Sequence, residues 1–216
     1  MTQGRGAFIA LEGCEGSGKT TLIKSLKMEC NGHPVCFTRE PGGTAVGTEI
    51  RKVLLDGKLR RMTPETELLL FLASRSQHCA EIIRPALTEG RRVVCDRFDA
   101  STFAYQIVGH KHRDLEQYFW DSQLLFPKPD LYVFLKIDPA VGLARIAERE
   151  GEKTCFDRLP LAFHQCVALG YEEFFAHLAP EKVLCIDASI SDEEVSDRVL
   201  ARISPLLGIG QIAFRR

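Results

Sequence analysis

A short glycine-rich segment near the start of the chain constrains its fold most. Residues 13–20 read GCEGSGKT and fit the pattern G-x-x-x-x-G-K-[ST] in full. An apolar segment at 7–11 precedes the pattern and predicts a strand, and residues 18–30 follow it with a helical pattern. Between a strand and a helix, the backbone N–H groups of such a loop can surround a phosphate.

The residue types in this loop indicate a nucleoside triphosphate as the ligand. Lys19 is placed to reach the β- and γ-phosphates, and the hydroxyl of Thr20 to bind Mg²⁺. The predicted ATP-binding residues are Gly13, Cys14, Glu15, Gly16, Ser17, Gly18, Lys19, Thr20 and Thr21.

Short apolar segments alternate with longer amphipathic ones along the chain. The short segments are apolar on both faces, which is typical of a parallel sheet covered on both sides. Strands are predicted at 7–11, 35–38, 92–95, 131–137 and 183–186. Helices are predicted at 18–30, 44–55, 63–89, 139–150, 161–178 and 191–206. This alternation predicts an α/β fold, with a five-stranded parallel sheet flanked by helices.

The composition predicts one ordinary globular domain over residues 1–216, with a tail at 208–216 that is expected to fray. The 28 Lys and Arg residues balance 29 Asp and Glu residues, which argues against a general attraction to nucleic acid or anionic membranes. The longest apolar run, 68–73, is far shorter than the about 20 residues of a membrane span. We therefore expect a cytoplasmic protein with no nucleic-acid or membrane partner, whose eight cysteines are reduced thiols.

The loop alone fits GTPases, ATPase motors and small-molecule kinases. The chain has no Asn-Lys pair, so the guanine-reading motif N-K-x-D of GTPases is absent. The third predicted strand ends in Asp96-Arg97, whereas motors usually end it in two acids. Asp96 can hold Mg²⁺ through water at the carboxyl end of its strand, although the pair alone fits a strand-end salt bridge equally well.

A second anion site is indicated at the end of the second predicted strand. Arg39 lies there, in the segment TREPGGT at 38–44. Because parallel strands end at one edge of a sheet, Arg39 and Arg97 can converge on one phosphate, whose oxygens suit the arginine fork. The Glu40-Pro41 bond of this loop could be cis or trans.

Jointly, these segments resemble thymidylate kinases, the P-loop enzymes that phosphorylate dTMP with ATP. The shared motifs follow the family's order from residue 7 to about 190: the loop with its acid Glu15, TREPGGT at 38–44, FLASR at 71–75, DRF at 96–98, ST at 101–102, AYQ at 104–106, KPD at 128–130 and DR at 157–158. The resemblance implies a single kinase domain with a lid at about 145–160, Mg²⁺ with ATP as co-substrate, and a homodimer.

The resemblance also implies a dTMP site. Phe71 would stack on thymine and Arg75, one helical turn later, would donate to a base carbonyl. Without the resemblance, this pair is typical of a core phenylalanine and a surface cation. The remaining implied contacts are Ser101 or Thr102 and Gln106 at the base, Tyr105 under the sugar, Glu15 at the 3′-OH, and Arg39 and Arg97 at the monophosphate.

The phosphate loop carries no arginine, so the charge on the transferred phosphoryl group must be met from elsewhere. The basic stretch 145–158 resembles the lid of the bacterial members, and it also fits a solvated helix end. The candidate cations in this stretch are Arg145, Arg149, Lys153 and Arg158. Of these we favour Arg149 and Arg158, and we expect them to act with Lys19 and Arg97 as the catalytic cations.

The chain departs from the family pattern at three places. Pro160 stands where the family usually has an acid, and Ile107-Val108 follow Gln106 where the family usually has a glycine. Residues 166–169, before Gly170-Tyr171, lack the basic residue that is usual there.

Two rival functions remain open. One is a kinase of another nucleoside monophosphate, such as dUMP, and the other is a non-catalytic nucleotide-binding regulator on the same fold. The intact Lys19, Thr20 and Asp96 argue against the regulator.

Overall fold

Five parallel strands form the centre of the molecule in this computed structural model, which describes residues 5–56, 62–148 and 153–209. The strands are β1 (Phe8–Gly13), β2 (Val35–Arg39), β3 (Arg92–Asp96), β4 (Leu131–Lys136) and β5 (Val183–Asp187). Their order across the sheet is β2-β3-β1-β4-β5, and every neighbouring pair is parallel. The predicted five-stranded parallel sheet is confirmed.

The first strand runs two residues past its predicted end. Glu12 and Gly13 pair with Phe134 and Leu135 of β4, although Glu12 interrupts the apolar pattern. The Glu12 side chain is fully buried, and its carboxylate accepts hydrogen bonds from the backbone N–H of Phe98 at 2.8 Å and from Ser101 Oγ at 2.6 Å. A buried carboxylate with such donors is tolerated inside a strand.

Helices flank the sheet, and all six predicted ones form. The α-helices are α1 (Lys19–Glu29), α2 (Ala45–Leu55), α3 (Pro64–His78), α4 (Arg84–Thr88), α5 (Asp99–Thr102), α6 (Glu116–Ser122), α7 (Pro139–Glu148), α8 (Leu161–Ala176) and α9 (Asp192–Leu207). A π-helical segment, Cys79–Ile83, joins α3 to α4 without a break, so the predicted helix at 63–89 is confirmed. Thr63 caps α3 through its hydroxyl, which accepts from Thr66 N at 3.3 Å, as the helix-start pattern indicated.

The sequence pattern missed the helical structure between β3 and β4. After α5 the chain continues through a π-helical segment, Phe103–Gly109, and then through the short 3₁₀ turns Arg113–Leu115 and Gln123–Leu125 on either side of α6. Every residue from Asp99 to Gly109 is buried. A helix that is buried all round shows no polar face, so it has no amphipathic period to detect.

This buried segment packs closely against α8 through two glycines. A Cβ on Gly170 would lie 2.7 Å from Ala104 Cα and 2.8 Å from Val108 Cβ, and a Cβ on Gly109 would lie 2.8 Å from Val167 Cγ2. The missing side chains allow the two backbones to approach. The contact fixes the position of Tyr105 and Gln106, which lie on the same segment.

Three further predictions concern the cysteines, the absence of a membrane span, and the lid and tail. All eight cysteines are free thiols, and Cys14, Cys30, Cys79 and Cys95 are buried. No helix within the described ranges is long and apolar enough to cross a membrane. Residues 149–152 of the predicted lid and 210–216 of the predicted tail lie outside the described residues.

Replacing Gly170 with alanine should destabilise the protein. An alanine usually stabilises a helix over glycine by about 0.5–1 kcal/mol, but overpacking costs about 1–3 kcal/mol. We expect a lower free energy of unfolding in urea, with Gln165→Ala, on the exposed side of the same helix, close to wild type. A Gly170→Ala protein as stable as wild type would contradict the close approach.

Candidate active site

The phosphate-binding loop joins β1 to α1, as the sequence pattern predicted. Gly16 and Gly18 have left-handed backbones, with φ of 72° and 86°. A Cβ on Gly16 would lie 2.1 Å from the carbonyl oxygen of Gly142, so a side chain there is excluded. Because α1 begins at Lys19, its free N–H groups and the positive end of its dipole favour an anion at the loop.

Lys19 is buried at the base of this loop. Its Nζ donates to the carbonyl oxygens of Gly13 at 2.7 Å and Cys14 at 2.9 Å and to Ser17 Oγ at 3.2 Å. Burial, and then the nearby Arg97 cation, lower the pKa of Lys19 to about 8. A phosphate would supply the negative charge that these neutral acceptors lack.

One cleft of about 680 Å³ connects the loop to most of the other predicted site residues. The predicted residues that line it are Glu15, Gly16, Ser17, Gly18, Lys19, Thr20, Thr21, Arg39, Phe71, Arg75, Asp96, Arg97, Ser101, Thr102, Tyr105 and Gln106. Gly13 and Cys14 lie behind this lining but offer their carbonyl oxygens to Lys19. The predicted nucleotide loop and the predicted substrate pocket are therefore two ends of one cavity.

Arg97 connects the phosphate loop to the floor of the cleft. Its Nη2 donates to Glu15 Oε1 at 3.0 Å, and its Nη1 donates to Gly13 O at 3.1 Å and to Tyr171 OH at 2.9 Å. Its backbone is left-handed, with φ of 68°, which turns the side chain back over the end of β1. The guanidinium also lies over the ring of Tyr105, 5.1 Å from the ring centre.

Glu15 is held as a charged group despite its burial. Burial opposes the charged form, but the Arg97 guanidinium, helped by His164, Lys19 and Tyr105, holds the pKa of Glu15 at about 2. The Tyr105 hydroxyl donates to Glu15 Oε2, and His164 Nδ1 lies 3.5 Å from the same oxygen. An ionised carboxylate at the cleft wall is suited to accept a hydrogen bond from a ligand hydroxyl.

Further arginines line the cleft: Arg51, which the sequence analysis missed, and Arg145, the first residue of the predicted lid stretch. Arg51 of α2 donates to Pro41 O at 2.9 Å, and burial followed by the Arg39 charge lowers its pKa to about 10. Arg145 of α7 donates to Ala188 O at 2.9 Å and also lines the cleft. Arg39 itself is exposed at the end of β2 and lines the same cavity. Cations from three different elements thus line one cavity, where they can attract anions.

Asp96 and Thr20 supply the oxygen donors that a hard divalent cation prefers. Both line the cleft, and Asp96 lies at the carboxyl end of β3 opposite Arg39. Asp96 Oδ1 is buried and has no hydrogen-bond partner among the described residues. A buried, unpartnered carboxylate oxygen near a phosphate loop fits Mg²⁺.

Arg75 is completely buried, although its pattern alone suggested a surface cation. Its Nε donates to Glu40 Oε2 at 2.8 Å and its Nη2 donates to Thr102 Oγ1 at 2.7 Å. Its Nη1 is buried with no hydrogen-bond partner in the part of the chain described. Phe71, one turn earlier on α3, lines the cleft beside it. The face of α3 that carries this pair therefore lines the cavity.

Two residues that the sequence analysis did not single out hold Arg75 in place. Glu40 accepts from Arg75 with one carboxylate oxygen and from His78 Nδ1 at 2.9 Å with the other. The peptide bond from Glu40 to Pro41 is cis. His78 Nε2 lies 2.6 Å from Thr38 Oγ1. In the sequence, only the i, i+3 spacing of Arg75 and His78 on one helix indicates that both contact the same carboxylate, and that spacing is common.

Ser101 faces the cleft but uses its hydroxyl inside the protein. Its Oγ donates to Glu12 at 2.6 Å and lies 2.8 Å from Tyr171 OH, and Arg97 Nη1 donates to it at 3.1 Å. Burial raises the pKa of Glu12 to about 7. Of the alternatives Ser101 and Thr102, Thr102 is the one that contacts Arg75.

The lid residues are described only in part. Arg149 lies outside the described residues, and Arg158 ends the 3₁₀ turn Phe156–Arg158 without lining the cleft. Phe156 does line it and packs edge-on against Tyr105, with ring centres 5.5 Å apart. The turn that carries Phe156 thus covers part of the cavity.

Comparison with known proteins identifies relatives over most of the chain. The family described as thymidylate kinase matches residues 11–199. The thymidylate kinase of Bacillus pumilus is 40% identical over 215 residues, covering 96% of this chain and 99% of that protein. Those of Pelobacter propionicus and Solidesulfovibrio magneticus are 40% and 41% identical, covering 92% and 93% of this chain and 94% and 100% of those proteins.

Replacing Glu40 with glutamine should destabilise the protein strongly. The change leaves the buried Arg75 charge without its carboxylate, and breaking a buried pair costs about 3–5 kcal/mol. Urea unfolding should show this loss, whereas Glu49→Gln should cost at most about 1 kcal/mol, because its pair with Lys52 is exposed. Equal effects of the two variants would show that the buried pair does not stabilise the fold.

Proposed function

The chain belongs to the thymidylate kinase family, and we propose that its cleft transfers the γ-phosphoryl group of ATP to the phosphate of dTMP, giving dTDP and ADP. The observation that carries this proposal is the single cavity that joins the phosphate loop to the base pocket around Phe71 and Arg75. A phosphoryl transfer between two nucleotides needs both ends of such a cavity.

We propose that the loop from Gly13 to Thr21 binds the ATP phosphates, with Lys19 at the β- and γ-phosphates. Thr20 and Asp96 would hold Mg²⁺, which neutralises charge on the phosphates when it is bound. The acceptor phosphate of dTMP is already an anion, so a general base is not required. The residues therefore act by positioning the two nucleotides and by neutralising charge.

The dTMP would lie along the opposite wall. Phe71 would stack on the thymine ring, Arg75 would donate to a base carbonyl, and Thr102, Ser101 and Gln106 would complete the pocket. Tyr105 would lie under the sugar, where it disfavours a ribose 2′-OH, and Glu15 would accept from the 3′-OH. Arg39 and Arg97 would hold the monophosphate, and the position of Arg51 supports a share in that role.

We further propose how the whole protein is organised. Residues 1–216 would form one domain with a lid at about 145–160, acting as a homodimer in the cytoplasm. The intact phosphate loop, with its buried Lys19 and the unpartnered Asp96 oxygen, favours an enzyme over a non-catalytic regulator.

An assay of ADP release tests the function. We expect turnover with dTMP to exceed turnover with dUMP, dCMP, AMP and GMP at equal concentrations. Lys19→Ala should abolish turnover while calorimetry shows dTMP binding retained, because Lys19 contacts only the triphosphate in this arrangement. Lys24→Ala, an exposed change on the same helix, should behave as wild type. Preference for another monophosphate, or normal turnover of Lys19→Ala, would refute the assignment.

The lid supplies a second prediction. An arginine that acts only in the transition state should change kcat far more than KM. At least one of Arg149→Ala and Arg158→Ala should lower kcat by about 10³–10⁵-fold, and Arg198→Ala, in an exposed pair with Glu194, should leave it unchanged. If the double variant keeps more than about a tenth of wild-type kcat, the role belongs to another cation, and Arg145 in the cleft lining is the next to test.

A further inference from the structure

Gln106 lines the cleft with a side-chain amide whose two ends have opposite hydrogen-bonding character. The side chain is only 3% exposed, and it lines the cavity next to Thr102 and Tyr105. A glutamine amide has a donor end, its NH₂, and an acceptor end, its carbonyl oxygen. Which end faces a ligand decides which bases the pocket accepts.

Glu67 determines which end of the amide is used inside the protein. Gln106 Nε2 donates to Glu67 Oε1 at 3.1 Å. A carboxylate offers only acceptors, so it holds the NH₂ end and rejects the carbonyl end. No hydrogen bond from any described residue reaches Gln106 Oε1. His110 Nε2 lies 3.9 Å from the same Glu67 oxygen, which is farther than Gln106 Nε2.

The position of Glu67 makes this contact a fixed part of the pocket. Glu67 lies on α3 four residues before Phe71, so the two side chains share a helical face. Its side chain is 22% exposed, which means that the carboxylate is partly shielded from water by the residues that it contacts. Gln106 is itself held by the glycine contacts between its segment and α8.

Arg75 provides a hydrogen-bond donor, the opposite of the acceptor that Gln106 provides. Its Nε and Nη2 donate to Glu40 and Thr102, and its Nη1 is a buried donor without a partner among the described residues. The pocket thus offers a fixed donor from Arg75 and a fixed acceptor from Gln106. A pyrimidine with a 4-oxo group and an N3–H presents an acceptor next to a donor and matches this pair. Cytosine presents a 4-amino donor next to an N3 acceptor and is mismatched at both positions.

We propose that Glu67 is a specificity-determining positioning residue: by holding the Gln106 amide in one orientation, it makes the cleft select 4-oxo pyrimidine monophosphates over 4-amino ones. The inference rests on the proposed function and adds a cause for its base selectivity. Leaving a buried donor or acceptor unpaired is the strongest means that a site has to reject a close analogue.

The test is Glu67→Gln, which keeps the shape of the side chain but allows it to donate as well as to accept. The Gln106 amide can then turn over and present its NH₂ to the base. We expect the ratio of kcat/KM for dTMP over dCMP to fall by about tenfold, the value of one hydrogen bond. The ratio of dTMP over dUMP should stay at the wild-type value, because both bases carry the 4-oxo group and N3–H.

The matched control is Glu65→Gln, which removes the same charge from the first turn of α3 at an exposed position. It should leave both ratios at the wild-type value. A Glu67→Gln enzyme whose dTMP over dCMP ratio equals that of wild type would overturn the proposal. So would an equal loss of activity with all three monophosphates, since that outcome marks a purely structural role.

A second variant shows whether Glu67 acts through Gln106. In a Gln106→Met background the amide is absent, so adding Glu67→Gln should change the dTMP over dCMP ratio by less than about twofold. A tenfold further drop of the dTMP over dCMP ratio would show that Glu67 acts through another residue and would overturn the proposal.

A wild-type enzyme that does not use dTMP would instead refute the proposed function itself, which keeps the two failures distinguishable.

Discussion

The guanidinium groups of Arg75, which is buried, and of Arg97, which is partly buried, are the constraint around which the cleft is organised. A cation removed from water must find acceptors in fixed positions, and here the acceptors come from elements that are distant in sequence. Arg97 draws together the end of β1, the acid of the phosphate loop and Tyr171 of α8. Arg75 joins α3 to the loop after β2 through Glu40. The walls of the cleft are therefore held in place by ion pairs and hydrogen bonds of residues that line it.

Two carboxylates show how strongly this arrangement controls ionisation. Glu12 and Glu15 are separated by only two residues, yet burial raises the pKa of Glu12 to about 7, whereas Arg97 with its neighbours outweighs burial and holds that of Glu15 at about 2. Glu12 accepts from Ser101 and from backbone behind the cleft, while Glu15 lines the cavity. The same residue type thus serves as a structural acceptor in one place and as a charged group on the cleft wall in the other.

Much of the fold and of the site could be predicted from the sequence, and the omissions have physical causes. The strands and the phosphate loop carry local signals: apolar segments, glycines and a lysine at fixed spacing. The helical segment from Asp99 to Gly109 is buried on every side, so its sequence has no periodic polar face. Arg51, Glu40 and His78 reach the site only because β2, α2 and α3 meet at one sheet edge, which no local pattern encodes.

The residues that depart from the family pattern have clear structural positions. Pro160 precedes α8 as its N-cap residue, where a proline fits because the chain is extended. Ile107 and Val108 are buried in the segment that packs on α8, and Val108 lies against Gly170.

Ala168 is half-buried, and neither it nor the adjacent exposed Leu169 lines the cleft. Gly170 and Tyr171, which follow them, do carry specific contacts: one allows the backbone approach and the other bonds to Arg97. The departures in this helix therefore lie at positions that do not line the cleft, whereas the two residues that match the family pattern make the contacts that support the arginine.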